Sequence, residues 1–285
     1  MGATDIRQDR SGNTDFRLDR QLRSYAKEDP PSHRVKPVPI QVVVEALRIA
    51  YAQNQQDDGL RAVADMICIG YYYLMRPGEH TKNSTDTAFR LIDIALYREQ
   101  TQLNLLTAPV EHLLQASSLT LEFTTQKNGV KGEKITHGRS GHPLACPVLA
   151  VVRRVCYHRQ HNSPNTAPLC QYYDSVGRVR FVRSKDITVM LQTIIRLWPV
   201  TYPNDPLDIK PHEVTARALR AGGATALLVA GVDTNTVQLI GRWKSDAMIR
   251  YLHVMATPAV HTYAAKMYRG GHYSFRPGLT VPVRE

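Results

Sequence analysis

The apolar residues of this chain change their period twice, and that switching restricts the fold more than any other feature. Over residues 38–54 they fall at Val43, Val44, Leu47, Ile49 and Ala50, the spacing of a helix face. A second helix is expected over residues 60–74, ahead of Arg76-Pro77-Gly78, which must break or turn the chain. The period then shortens to two in residues 89–97 (FRLIDIALY) and 118–125 (SLTLEFTT), which read as strands. Asn128-Gly129 and Lys131-Gly132 mark a turn, with residues 133–136 returning as the partner strand. Helical spacing resumes after Pro147 at Val148, Val151, Val152 and Val155. Residues 162–184 read as loop and 185–197 as helix. A strong helix is expected over 215–230, stopped by Gly231. A short helix from Asn235 and another over 245–254, with Ser245 as N-cap, complete the pattern. The expected fold class is α+β, mostly α-helical with a small antiparallel β-sheet.

Charge narrows the partners. The chain carries 36 Lys+Arg against 25 Asp+Glu, a formal net charge of +11. The surplus is concentrated: residues 121–200 hold 12 basic and 4 acidic groups, and residues 201–285 hold 10 and 6. A binding face for a polyanion, assembled from both regions, has this signature. Charge alone does not separate it from an ordinary solvated basic surface. With 43% hydrophobic residues, wholesale disorder is excluded.

Other classes lack their motifs. No apolar run approaches the ~18 residues of a membrane span, and the N-terminus has no signal-peptide core. An intracellular, reduced protein is expected, with no membrane partner. The four cysteines form no CxxC pair. Cys156, His158, His161 and Cys170 have the right atom types for a soft metal but no established zinc spacing. There is no GxxxxGK[ST] phosphate loop. Tyr71-Tyr72-Tyr73 reads as core packing. Residues 1–37, polar and charged with a short self-similarity (TDIRQDR at 4–10, TDFRLDR at 14–20), read as an arm or linker.

The informative stretch is 214–253, VTARALRAGGATALLVAGVDTNTVQLIGRWKSDAMIRYLH. Arg217 and Arg220 are three apart on one expected helix, so both guanidiniums could reach one site. Gly222 and Gly223 clear the way for another backbone to approach. Tyr251 follows Trp243 by eight residues. Guanidinium forks bind two phosphate oxygens at once, and a phenol can attack phosphorus once nearby cations lower its pKa.

These residues resemble the tyrosine recombinases, the phage-integrase and Xer-like family, most closely the branch carried by eukaryotic mobile elements. Thr215-Ala-Arg-Ala-Leu-Arg220-Ala-Gly-Gly-Ala-Thr225 is similar to the family's second box. Leu239-Ile-Gly241-Arg-Trp243 and Tyr251-Leu-His253 are similar to its glycine turn and nucleophile segment. Leu74-Met-Arg76-Pro-Gly-Glu79 is similar to its first box, and Lys127 stands where the hairpin lysine would be. The resemblance covers about residues 38–268, in the family's order.

The resemblance implies a metal- and cofactor-independent strand transferase acting on double-stranded DNA, within a catalytic domain over residues 38–275 and a tail over 276–285. Tyr251 would form a 3′-phosphotyrosyl bond. Arg76 and Arg220 would hold the non-bridging oxygens, Lys127 would protonate the leaving 5′-oxygen, and Trp243 would donate to the phosphate or pack on Tyr251. Glu79, Arg217, Arg242, His212 and His253 are supporting candidates. Four protomers on two duplexes are implied, with a segment such as 256–275 docking on a neighbour, and a location wherever the DNA is, the nucleus in a eukaryote.

Two departures are visible. The second box normally begins with a histidine where this chain has Arg217, which cannot act as a base; His212 substitutes only if the turn brings it in. The family also commonly carries a helical N-terminal domain, whereas about 37 residues precede Val38. The chain is therefore expected to be a catalytic fragment, a shortened element, or a non-catalytic DNA-binding derivative. The family's interval to the tyrosine is often nine residues, which selects Arg242. Trp243 is preferred because an indole is a known replacement there. Tyr263 and Tyr268 are later alternatives for the nucleophile.

Overall fold

The computed structural model describes residues 35–53, 55–82, 88–124, 132–205 and 207–243. Its organising element is α2 (Asp58–Tyr72), preceded by α1 (Ile40–Ala50). Asp57 caps α2 by accepting from the Leu60 N–H at 3.0 Å. Positions 62–71 of α2 are all buried, so this helix has no solvent face over that span and packs against neighbours on every side. The neighbours are α1, α5 (Pro147–Gln160), α6 (Ser184–Thr201) and α7 (Ala218–Val229). The one charge in that buried span, Asp65, is answered by Arg153 at 2.7 Å and by the Tyr51 hydroxyl at 2.7 Å.

The packing of α7 depends on the two glycines. A Cβ on Gly222 would lie 2.1 Å from the Val38 carbonyl oxygen, and one on Gly223 would lie 2.2 Å from that of Tyr71. Backbone therefore meets backbone at the crossing, the close approach that missing side chains permit.

The sheet has order β2-β1-β3-β4 and is antiparallel throughout. Its strands are β1 (Ile94–Arg98), β2 (Thr101–Leu103), β3 (Ser118–Phe123) and β4 (Glu133–Gly138). Leu119, Leu121 and Phe123 of β3 are buried while the alternate positions are partly exposed, so one face meets the core. The architecture is α+β, mostly helical, with this small sheet inserted. Among the described residues, no helix is long and apolar enough to cross a membrane.

Three local expectations need correction. Residues 89–97 are not one strand: a 3₁₀ turn (Leu91–Asp93) precedes β1, because the Asp93 carboxylate accepts from the Arg90 N–H at 2.9 Å and pairs its guanidinium. Residues 162–184 are not all loop. They contain the ribbon β5 (Gln171–Tyr173) and β6 (Val179–Phe181), closed by Asp174, whose carboxylate accepts from the Val176 and Arg178 N–H groups. Three-residue strands are too short to display a period. Finally, α7 starts at Ala218, leaving Arg217 at its N-cap position. A short α3 (Pro77–His80), α4 (Val110–Leu114) and α8 (Thr234–Gly241) complete the helices used below. The helix expected over 245–254, residues 128–131 of the expected turn at 128–132 and residues 1–34 of the expected arm over 1–37 lie outside the described residues.

Candidate functional site

Arg76 sits where α2 hands over to α3. The chain leaves α2 through Leu74 in a left-handed conformation (φ 47°), and Pro77 starts α3. Glu79, three residues on, turns back on Arg76: its Oε2 accepts the Arg76 N–H at 2.8 Å and its Oε1 pairs the Arg76 guanidinium at 3.0 Å. His80 fixes the same residue from the other side. Its Nδ1 is 3.0 Å from the Arg76 carbonyl oxygen, which can only accept, so the proton is on Nδ1. Burial pushes the His80 pKa down to about 4, keeping the ring neutral. A Cβ on Gly70 would lie 2.9 Å from His80 Nε2, so α2 keeps a glycine under the imidazole.

Arg220, buried on α7, donates to the carbonyl oxygen of Gly241 at the end of α8. Its guanidinium carbon lies 4.3 Å from the centre of the Trp243 ring, a cation–π contact. Gly241 is required beneath that indole, since a Cβ there would fall 1.6 Å from its ring.

Arg242 lies between Gly241 and Trp243 and turns the opposite way. It closes α8 in a left-handed conformation (φ 56°) and sends its side chain inward, 1% exposed. One terminal nitrogen donates to the carbonyls of Tyr73 at 3.1 Å and Ile240 at 3.0 Å. The other binds Glu79 Oε2 at 2.9 Å. Its guanidinium carbon stands 3.5 Å from the Phe123 ring centre. A cation thus covers orphan carbonyls beyond the C-terminus of α2. Burial lowers the Arg242 pKa, and the Glu79 carboxylate opposes that.

The three-residue segment 241–243 therefore touches Arg220 directly and Arg76 through Glu79. Arg76, Glu79, Arg220, Arg242 and Trp243 are brought together. Arg217 is exposed at its N-cap position, while Arg220, three residues on, is buried. His212 is exposed in a 3₁₀ turn (Pro211–Glu213) before α7. Lys127, Tyr251 and His253, with the alternatives Tyr263 and Tyr268, lie outside the described residues. His80 escaped the sequence reading; its spacing of four from Arg76 was the available signal.

The remaining candidates are structural. Tyr71 and Tyr73 are buried, and the Tyr73 hydroxyl donates to the Leu119 carbonyl at 2.7 Å. His158 is buried, and His161 stacks on Tyr173 at 4.7 Å. Among the described residues no three His, Cys, Asp or Glu side chains converge as metal donors. A groove of about 840 Å³ between the start of α2, α6 and the β5–β6 ribbon contains none of the site residues.

Several solved structures are similar to the chain. XerA recombinase matches over 84% of this chain and 66% of its own length, at 17% identity and a TM-score of 0.46. The Tn1549 transposon integrase in complex with circular intermediate DNA matches over 84% and 68%, at 14% identity and a TM-score of 0.44. A variant of that integrase in complex with transposon right end DNA matches over 92% and 72%, at 15% identity and a TM-score of 0.47. No protein-family model and no curated protein matches the chain.

Proposed function

We propose that this chain breaks and rejoins double-stranded DNA in the manner of a tyrosine recombinase, of the kind carried by mobile elements. The observation that carries the reading is the junction at 241–243, where a sequence motif distant from both arginines meets Arg220 through the Gly241 carbonyl and Arg76 through Glu79. Two guanidiniums held this way suit a phosphodiester with two non-bridging oxygens.

In the proposed reaction Tyr251, its phenol pKa lowered by the neighbouring cations, loses its proton to water, and the phenolate oxygen attacks the scissile phosphorus. A phosphotyrosyl bond forms to the 3′ side as the bond to the 5′-oxygen breaks. Arg76 and Arg220 stabilise the charge that accumulates on the phosphorus oxygens. Lys127, on the link between β3 and β4, gives its proton to the departing 5′-oxygen. Trp243 packs over Arg220 and holds its plane. The phosphotyrosyl bond conserves the phosphodiester's energy, so a 5′-hydroxyl from another strand reverses the step without ATP. Assembly of four protomers on two duplexes belongs to the same reading.

A second reading follows from Arg217. It stands where the family has a histidine and cannot take a proton, which favours a DNA-binding derivative that no longer cleaves. A suicide substrate, in which the released 5′-hydroxyl strand diffuses away, separates the two. The first reading predicts a covalent adduct that Tyr251→Phe abolishes while binding persists. The second predicts salt-sensitive binding and no adduct.

A further inference from the structure

Glu79 is one carboxylate answering two guanidiniums. Arg76 binds its Oε1 at 3.0 Å and Arg242 binds its Oε2 at 2.9 Å. The three side chains differ sharply in exposure: 30% for Arg76, 6% for Glu79 and 1% for Arg242. Two positive charges against one negative leave a surplus of one, and Arg76 is the member of the trio that reaches solvent. An Arg76–Glu79 pair alone would be neutral and would hold no surplus for a phosphate.

We infer that Arg242 is a positioning residue, which draws on the Glu79 carboxylate so that the positive charge of Arg76 is left uncancelled for a phosphodiester. The inference rests on the functional reading above. Arg242 itself is not placed to bind phosphate: its terminal nitrogens face Glu79 and the carbonyls of Tyr73, Leu74 and Ile240, and its flat face lies on Phe123. Glu133, at the start of β4, also acts on Arg242 electrostatically, but it is partly exposed and its field is screened by water. The arrangement also ties the charge balance around Arg76 to the end of α8, just before the segment that carries Tyr251.

The test compares the full chain with Arg242→Met, Glu79→Gln and the double variant on the nicked suicide duplex, after thermal melting confirms that each is folded. Arg242→Met leaves Glu79 wholly to Arg76, and adduct formation is expected to slow by about tenfold or more. Adding Glu79→Gln removes the charge that Arg242 was answering, and the rate is expected to return to within about threefold of wild type. An Arg242→Met chain as fast as wild type, or a double variant no faster than Arg242→Met, overturns the inference; the latter is what plain packing or direct phosphate binding by Arg242 gives. If Arg242→Met does not fold, Arg242→Lys, which keeps the charge, must stay within about threefold, and a tenfold loss overturns the inference. A wild-type chain that forms no adduct refutes the functional reading itself, and the inference with it.

Discussion

Arg242 and Glu79, 163 residues apart in sequence, form an ion pair at 2.9 Å with the arginine side chain 1% exposed. Removing one partner of a buried pair leaves the other charge without an answer, which costs about 3–5 kcal/mol. Arg242→Met is expected to lose stability on this scale, offset in part because Arg76 still pairs Glu79. The Arg242→Met/Glu79→Gln double variant is expected to lose less than the single one. Urea denaturation of the three proteins measures this. Equal losses would mean that the pair contributes packing only.

The α7 crossing gives a prediction independent of charge. A methyl group on Gly222 or Gly223 meets backbone oxygen near 2 Å, and backbone cannot rotate away as a side chain can. Gly222→Ala and Gly223→Ala are each expected to destabilise by about 1–3 kcal/mol or more, through overpacking. Gly231→Ala, which meets nothing within 4 Å but has φ 87°, tests backbone strain in place of collision. Melting curves separate the two kinds of glycine by size of effect.

His80 predicts a pH dependence. Its pKa falls from 6.5 to about 4 because burial disfavours the imidazolium. The unfolded chain therefore binds a proton that the folded chain refuses between those values. The neutral-state contribution is fully present above pH 6.5 and is lost as pH falls toward 4, by about 3 kcal/mol at most. His158, also lowered to about 4, adds to the same slope. His80→Gln is expected to flatten the dependence of unfolding free energy on pH between 6.5 and 4. An unchanged slope would place the titration elsewhere.

Much of this was legible in the sequence, for reasons that also explain what was not. Long periodic segments carry their own signal: α1, α2, α5 and α6 stand where apolar spacing puts them, and the β3–β4 pair stands where alternation does. The β5–β6 ribbon and the turn at Leu91–Asp93 did not show, because carboxylates rather than periodicity shape them. Gly222 and Gly223 were readable as a close approach, but the strands of backbone they admit were not. Arg242 illustrates the deeper limit. Its spacing from Tyr251 matched a phosphate-facing position, whereas its left-handed backbone turns the side chain into the core, and no linear pattern encodes that rotation.

Binding to DNA should be steeply salt-dependent if the basic surplus meets phosphates. Each phosphate contact contributes about −0.9 to the slope of log K against log salt. Arg76→Ala is expected to reduce the magnitude of that slope by about one contact, with weaker binding across unrelated sequences. Fluorescence anisotropy at several salt concentrations measures it. A slope identical to wild type would remove Arg76 from the phosphate contacts.

The claim that two arginines and a tyrosine serve one phosphorus is tested most directly by trapping. The full chain is incubated with a nicked suicide duplex, and the covalent product is digested and sequenced by mass spectrometry. A nucleotide on the peptide containing Tyr251, absent in Tyr251→Phe and reduced by about 10²-fold or more in Arg76→Ala and Arg220→Ala, is the predicted result. An adduct on another residue, or none from a chain that binds the duplex tightly, would contradict the account.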